Sequence, residues 1–144
     1  MTFGLGPSGK VSINRGRPIS LSQPRSMKMW LVRNQDTGRV LAWRVRRADG
    51  WVARLVGFLP RPSIAPEEGL WFEGCGAVHT LGMRSALDVV FLDRDFRVVR
   101  VEENVRPQRL YVGARRAHVV IEFGPGFAKA NPLAPGARLA LEPV

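Results

Sequence analysis

Cysteine is nearly absent from this chain, since Cys75 is the only one among 144 residues. A single cysteine cannot form an internal disulfide, so we expect a fold that rests on an apolar core and suits a reducing compartment. No apolar stretch approaches the roughly 20 residues of a transmembrane helix. The N-terminal segment also lacks the apolar block that a secretory signal needs. These absences predict a soluble, cytoplasmic protein with no transmembrane segment.

Acidic residues are few, with 12 Asp and Glu against 22 Lys and Arg, which gives a net charge of +10. Residues 1–47 carry a net charge of +9, whereas residues 48–144 carry only +1. We interpret residues 1–26, rich in Gly, Pro and Ser, as a basic flexible leader and residues 27–144 as a single β-rich domain. Because residues 48–144 are almost neutral, the pattern argues against nucleic acid as a partner. A leader that docks onto nucleic acid or anionic lipid stays an alternative.

The sequence contains no phosphate-binding loop of the form Gly-x4-Gly-Lys followed by Ser or Thr. Such loops use backbone amides to hold phosphate groups, so their absence implies no nucleotide cofactor of this type. We therefore expect no cofactor. The expected partner is a small molecule or another protein.

Residues 40–46 alternate between apolar and polar side chains, a pattern typical of a β-strand with one buried face. This alternation predicts that Leu41, Trp43 and Val45 share the buried face. The dipeptide Thr37-Gly38 predicts a hairpin turn between this strand and the apolar run before it.

One short helix is predicted near residues 50–58. Asp49 is a suitable N-cap, and the apolar residues of the segment fall within one arc at about 100° per residue. The helix ends at Pro60, and the three prolines of residues 60–66 predict a surface loop.

Short runs rich in β-branched and aromatic residues predict further strands. They cover residues 69–72, 77–81, 87–92, 97–101, 117–123 and 138–141. Residues 93–96 form a connection of hairpin length, and Gly124-Pro125-Gly126 ends the strand before it. The chain shows no alternation of strands and helices. We therefore predict a mainly β fold, a small antiparallel β-sandwich or distorted barrel with one short helix.

The four tryptophans of the chain are Trp30, Trp43, Trp51 and Trp71. A platform of exposed rings stacks on sugars or bases, but three of the four lie on apolar faces of predicted elements. We therefore assign them to the core.

Polar side chains gather in one segment of this otherwise apolar domain, and they are our candidates for the rim of a binding pocket. They are Cys75, His79, Thr80, Met83, Arg84 and Asp88. We interpret the protein as a small non-catalytic binding or accessory module and assign no catalytic residue. Asp88 begins an apolar strand, where an unpaired carboxylate is costly, so an ion pair with Arg84 is expected.

The same segment supports two alternatives. Cys75, His79 and His118 are weak candidates for zinc ligands, with Asp88 within reach. A small cysteine-based enzyme would use Cys75 as the nucleophile, His79 or His118 as the base, and Asp88 to orient the imidazole. Cys75 also has a plainer interpretation as a small buried hydrophobic residue, which is the common state of a free cysteine.

Several motifs in order along the chain resemble those of the domain of unknown function 192 family of bacteria and archaea. They are Gly-Leu-Trp-Phe at 69–72, Cys-x2-Val-His-Thr-x-Gly-Met-Arg at 75–84, Leu-Asp-Val-Val-Phe-Leu-Asp at 87–93, and the segments 117–123 and 135–139. The resemblance runs from about Ala42 to Leu141. It implies a mainly β sandwich with a short helix and no established activity. The chain departs from the family pattern at Ser85-Ala86, at Ala137 and at Phe96, where a turn glycine is usual.

Overall fold

The computed structural model describes residues 28–49, 58 and 61–144. The leader predicted for residues 1–26 and residues 50–57 of the predicted helix lie outside the described residues. Nine strands and one short helix occur within the described part. They are β1 Trp30–Asn34, β2 Val40–Arg47, β3 Glu68–Glu73, β4 Ala77–Val78, β5 Leu87–Leu92, β6 Val98–Val105, β7 Val112–Gly113, β8 Val119–Phe123, α1 Phe127–Ala130 and β9 Leu139–Pro143.

Seven of these strands form one mixed sheet in the order β6-β5-β8-β3-β2-β1-β9, and β4 pairs with β7 in a small second sheet. The predicted mainly β fold is confirmed. Every neighbouring pair in the large sheet is antiparallel except β2 and β3, which run parallel. Parallel neighbours need a long crossover connection, and the segment between β2 and β3 provides one.

Both faces of the central strands are buried. β5 and β8 are buried at every position, so their side chains alternate between two hydrophobic clusters. The inner cluster includes Val45, Trp71, Val90, Val98, Ile121 and Leu139. The outer cluster includes Phe58, Leu70, Phe72, Met83, Val89 and Val120. A strand whose two faces are both buried has apolar side chains at nearly every position. This explains why residues 87–92 do not alternate between apolar and polar side chains.

The sheet curls around the inner cluster until its two edge strands meet at one point. Val98 of β6 and Leu139 of β9 belong to the same cluster, although their strands stand at opposite ends of the sheet. An isolated antiparallel bridge joins Arg97 to Arg138. Next to this bridge the Val98 amide donates to the Ala137 carbonyl at 2.8 Å. The described strands thus form a curled sheet whose two edges are bonded to each other at one end only, and they do not form a closed barrel.

Both predicted hairpins are present. β1 and β2 are antiparallel and joined through Gly38, which has a φ of 74°. β5 and β6 are joined by the turn at residues 93–96, where Asp93 Oδ1 accepts from the Asp95 and Arg97 amides. Left-handed glycine and side-chain-to-amide bonds are the usual ways to reverse a chain in so few residues.

The prediction that Trp43 shares the buried face of its strand is wrong, because 56% of its surface is exposed. The register of β1 and β2 explains this. Val32 pairs with Ala42 and Trp30 with Val45, so β2 has one extra residue between the two pairs. Such a bulge reverses the alternation of side chains across the sheet. Leu41 and Val45 remain buried, and Trp43 points to solvent.

Gly124 lies where the end of β8 passes the 64–65 backbone. A Cβ atom at this position would stand 2.6 Å from the Ile64 carbonyl oxygen and would overlap that of Ala65. We expect Gly124→Ala to lower the free energy of unfolding in urea by about 2 kcal/mol, the usual cost of overpacking. Gly38→Ala is the comparison for backbone strain without a clash, since its Cβ would meet no atom within 4 Å but its φ is 74°, and we expect it to cost only about 1 kcal/mol. An equal or larger loss for Gly38→Ala would contradict the steric argument.

Candidate functional site

Asp88, at the start of β5, is almost fully buried, with 2% of its surface exposed. Its two carboxylate oxygens accept hydrogen bonds from the backbone amides of Asn104 at 2.8 Å, Gly126 at 3.1 Å and Ala128 at 2.9 Å. The carboxylate thus ties β5 to the end of β6 and to the first turn of α1. These amides, which come from distant segments, compensate the burial of the charge.

The expected ion pair between Arg84 and Asp88 is wrong. Arg84 is exposed, and among the described residues no ion pair joins it to Asp88. A buried carboxylate that already accepts three amide hydrogen bonds has less need of an arginine partner.

Thr80 and Met83 are buried and help to hold the loop between β6 and β7. The Thr80 hydroxyl donates to the Arg106 carbonyl at 2.8 Å and accepts from the Arg109 amide at 2.9 Å. Its backbone amide donates to the Arg109 carbonyl at 2.8 Å. Met83 belongs to the outer cluster.

Cys75 and His79 are half-buried on either side of the short strand β4. The Cys75 thiol donates to the Ala77 carbonyl at 2.8 Å, and the Cys75 amide donates to the His118 carbonyl at 2.9 Å. The Nδ1 atom of His79 is buried and has no hydrogen-bond partner among the described residues.

The six predicted rim residues lie along one segment, but their side chains do not bond to one another. Each side-chain hydrogen bond given above for Cys75, Thr80 and Asp88 joins the side chain to a backbone group. In the described part of the chain, no three His, Cys, Asp or Glu side chains are grouped to hold a metal ion. Cys75, His79 and His118 therefore do not form a ligand set with Asp88.

A cavity of about 450 Å³ opens elsewhere, beside the inner cluster. It is lined by Trp30, Gln35, Arg47, Trp71, Glu73, Phe96, Arg138, Leu139, Ala140 and Leu141. These residues come from β1, β2, β3 and β9, from the β1–β2 and β5–β6 turns, and from Arg138 just before β9. The curl of the sheet brings them together, because β9 and the β5–β6 turn meet at the end where the two edges are bonded.

Aromatic rings form much of the cavity wall. Trp71 and Phe96 are in contact, with ring centroids 5.8 Å apart at 52°. The indole nitrogen of Trp71 is buried and has no hydrogen-bond partner in the described residues. Lys28 Nζ lies 4.4 Å from the centroid of the Trp30 ring, a cation–π distance. Assigning Trp30 and Trp71 to the core alone was therefore incomplete, since both also line this cavity.

The rim of the cavity carries charge of both signs. Arg47 Nη2 lies 3.3 Å from a Glu73 carboxylate oxygen, and Arg47 Nε lies 3.0 Å from Asp49. Arg138 is exposed, and among the described residues its guanidinium takes part in no ion pair. The cavity thus combines flat apolar walls with one unpaired cation.

Sequence reasoning missed this cavity because its residues are scattered from position 30 to position 141. One local signal was available. Phe96 stands where the family that the sequence resembles has a turn glycine, and its φ of 58° is left-handed. A bulky side chain in that conformation is strained, and strain of this kind is often retained for function.

Glu122 of β8 is a second residue that sequence reasoning passed over. Only 5% of its surface is exposed, and its neighbours in register are Leu70 of β3 and Val89 of β5. Desolvation by this apolar surrounding raises the pKa of the Glu122 carboxyl from 4.5 to about 8. At neutral pH the carboxyl group is therefore mainly protonated.

A glycine pattern near the N-terminus is also relevant to ligand binding. Gly4, Gly6 and Gly9 have the Gly-x-Gly-x2-Gly spacing of dinucleotide-binding turns, and Lys10 follows them. This spacing is informative only between a strand and a helix. Residues 1–27 lie outside the described part of the chain, so the pattern assigns no cofactor.

Comparison with known proteins identifies the family. The model of the domain of unknown function 192 family, described as "Uncharacterized ACR", matches residues 32–141. The chain belongs to this family. Domain of unknown function 192 proteins have no assigned activity, so membership establishes the fold and the relatives of the chain and no reaction.

Archaeal relatives agree with this assignment. A UPF0127 protein of Pyrococcus furiosus is 32% identical over 109 residues, which cover 74% of this chain and 93% of the relative. A UPF0127 protein of Pyrococcus horikoshii is 36% identical over 87 residues, 57% of this chain and 75% of the relative. The matched lengths include most of the domain of unknown function 192 region.

Solved structures share the fold of this domain of unknown function 192 protein. One, described as a candidate transcription regulator from Sinorhizobium meliloti, has a TM-score of 0.67 at 23% identity and covers 79% of this chain and 92% of its own. A protein of unknown function from Novosphingobium aromaticivorans has a TM-score of 0.66 at 22% identity, covering 82% and 89%. Among the described residues no helix is long and apolar enough to cross a membrane.

Proposed function

We propose that this domain of unknown function 192 protein is a non-catalytic binding module that takes a small organic molecule into the cavity beside the inner cluster. The observation that carries the proposal is the cavity itself, about 450 Å³ in volume and walled by Trp30, Trp71 and Phe96. Small-molecule sites commonly have volumes of roughly 300–1,000 Å³, apolar and aromatic walls, and a few polar groups that orient the ligand.

The chemistry of the lining supports binding over catalysis. The polar side chains that line the cavity are Gln35, Arg47, Glu73 and Arg138. Acyl or phosphoryl transfer through a covalent intermediate needs a nucleophile next to a base. Among the described residues this lining includes no Ser, Cys, His or Lys, and its one carboxylate, Glu73, is paired with Arg47. Arg47 and Glu73 neutralise one another as an ion pair. The lining is suited to holding a molecule in place.

In this proposal the polar segment from Cys75 to Asp88 supports the fold and is not the ligand site. The side chains of Thr80 and Asp88 already form hydrogen bonds with backbone groups. The free, half-buried thiol of Cys75 suits a reducing compartment, so a cytoplasmic location is part of the proposal. The partner is a small molecule and not nucleic acid, because residues 48–144 carry a net charge of only +1.

Nitrogen-15 labelled protein tests the proposal, because each indole N–H gives its own NMR signal. Single Trp→Phe variants assign the signals, and a library of small organic fragments is then titrated. We expect at least one fragment to shift the signals of Trp30 and Trp71, which line the cavity. The signal of Trp43, exposed on β2 and outside the lining, should stay in place and is the control.

Two outcomes would contradict the proposal. The first is a library in which no fragment moves the Trp30 or Trp71 signal at millimolar concentration. The second is a fragment series that moves Trp43 as much as the two cavity tryptophans, because this would indicate nonspecific association with exposed rings.

A further inference from the structure

The two arginines at the rim of the cavity differ in their ion pairing. Arg47 is neutralised by Glu73 and by Asp49, with nitrogen–oxygen distances of 3.3 and 3.0 Å. Arg138 lines the same cavity without an ion-pair partner in the described part of the chain. Arg138 is therefore the cation of the lining that remains available to pair with an anionic group of a ligand.

The backbone of Arg138 is firmly held although its side chain is unpaired. The Arg138 amide donates to Asp36 Oδ2 at 3.0 Å, and the Arg138 carbonyl accepts from the Gln35 amide at 2.8 Å. The residue also forms the bridge to Arg97 that fastens the curl. The fixed backbone keeps the Arg138 side chain beside the cavity.

The apolar walls favour a flat partner. Phe96 adopts a left-handed φ of 58° and places its ring 5.8 Å from that of Trp71, centroid to centroid. Trp30 adds a third ring to the lining. Aromatic side chains bind planar groups through offset-stacked and edge-to-face contacts. The left-handed backbone at Phe96 thus accompanies an aromatic ring in the cavity wall, where it is suited to contact a planar group.

From these observations we propose that the ligand is a planar aromatic acid with a single negative charge. Its carboxylate pairs with the Arg138 guanidinium, whose fork of N–H groups matches the two carboxylate oxygens. Its ring packs against Trp30 and Phe96. This inference rests on the proposed binding function and specifies its ligand class.

A pair of probes that differ only in charge tests the inference. 2-Naphthoate and its neutral isostere 2-naphthamide are titrated into the full chain by isothermal calorimetry at pH 7.5. We expect the wild type to bind the acid at least tenfold more tightly than the amide. Arg138→Gln should reduce this preference to less than threefold, and Arg138→Lys, which keeps the charge, should retain part of it. Arg94→Gln, which removes an exposed arginine outside the cavity lining, should leave the preference unchanged.

The outcomes separate this inference from the proposed function. Equal binding of acid and amide to the wild type would overturn the choice of an anion while leaving a binding cavity. The ligand class would also be wrong if neither probe bound while neutral fragments still moved the Trp30 and Trp71 signals. A loss of preference in Arg94→Gln as large as in Arg138→Gln would show that general surface charge, and not Arg138, selects the acid.

Discussion

Replacing Asp88 by alanine is expected to lower the free energy of unfolding by about 3 kcal/mol. The carboxylate accepts hydrogen bonds from three backbone amides, those of Asn104, Gly126 and Ala128. Each buried amide left without an acceptor costs roughly 1–3 kcal/mol, and part of this loss is recovered where water reaches the exposed end of the site. Urea unfolding followed by circular dichroism measures the difference.

Asp93 offers a matched control for this substitution. Its carboxylate also accepts from two backbone amides, those of Asp95 and Arg97, at 2.9 and 3.0 Å, but these bonds are exposed to solvent. Water replaces the lost acceptor there, so Asp93→Ala should cost about 1 kcal/mol or less. If the two variants lost equal stability, burial would not be the reason for the importance of Asp88.

Asp88→Asn tests whether both carboxylate oxygens of Asp88 are needed as hydrogen-bond acceptors. Asparagine has one acceptor oxygen and one donor group, so it cannot serve amides on both sides of the carboxylate. We expect Asp88→Asn to be less stable than the wild type and more stable than Asp88→Ala. An asparagine variant as stable as the wild type would mean that the hydrogen bonds to one of the two carboxylate oxygens contribute little.

Stability should fall as the pH rises from about 4.5 to about 8, because Glu122 keeps its proton in the folded state over this range. Burial raises the pKa of the folded carboxyl to about 8, whereas an unfolded glutamate releases its proton near 4.5. The unfolded chain therefore binds fewer protons, and the free energy of unfolding decreases with pH by up to about 1.4 kcal/mol per unit. Above pH 8 this contribution is constant.

Glu122→Gln isolates this effect. The variant keeps the size of the side chain and cannot ionise, so its stability should lack this decrease between pH 4.5 and 8. We expect the variant to become more stable than the wild type toward pH 8, as measured by urea unfolding at intervals of half a pH unit. Glu103→Gln is the control, since Glu103 is exposed on β6. Parallel stability curves for the wild type and Glu122→Gln would contradict the prediction.

The hairpins of this fold could be predicted because their turns are local. Gly38 and Asp93 each specify a chain reversal through their own backbone or side-chain chemistry. The bulge in β2 could not be predicted, since it depends on how β2 pairs with β1, and it placed Trp43 in solvent. The short strand β7 and helix α1 are missed for another reason: two and four residues are too few to display a period.

In the candidate site, too, the sequence predicts local requirements but not contacts between distant residues. Because burying a charge is costly, the sequence predicted that the Asp88 carboxylate needs polar partners. The three amides that serve it lie 16, 38 and 40 residues away along the chain. Only the folded chain reveals them. Likewise the cavity assembles Trp30, Trp71 and Arg138 from separate strands, and no motif in the sequence joins these three positions.

One isolated bridge, between Arg97 and Arg138, holds the two edges of the curled sheet together. Releasing it breaks a few backbone hydrogen bonds near Val98 and Leu139 and leaves every other strand pairing of the sheet intact. Local openings of this size require far less free energy than global unfolding. We therefore expect this end of the sheet, which lies beside the cavity, to open locally before the central strands do, and such an opening would give a ligand a route into the cavity.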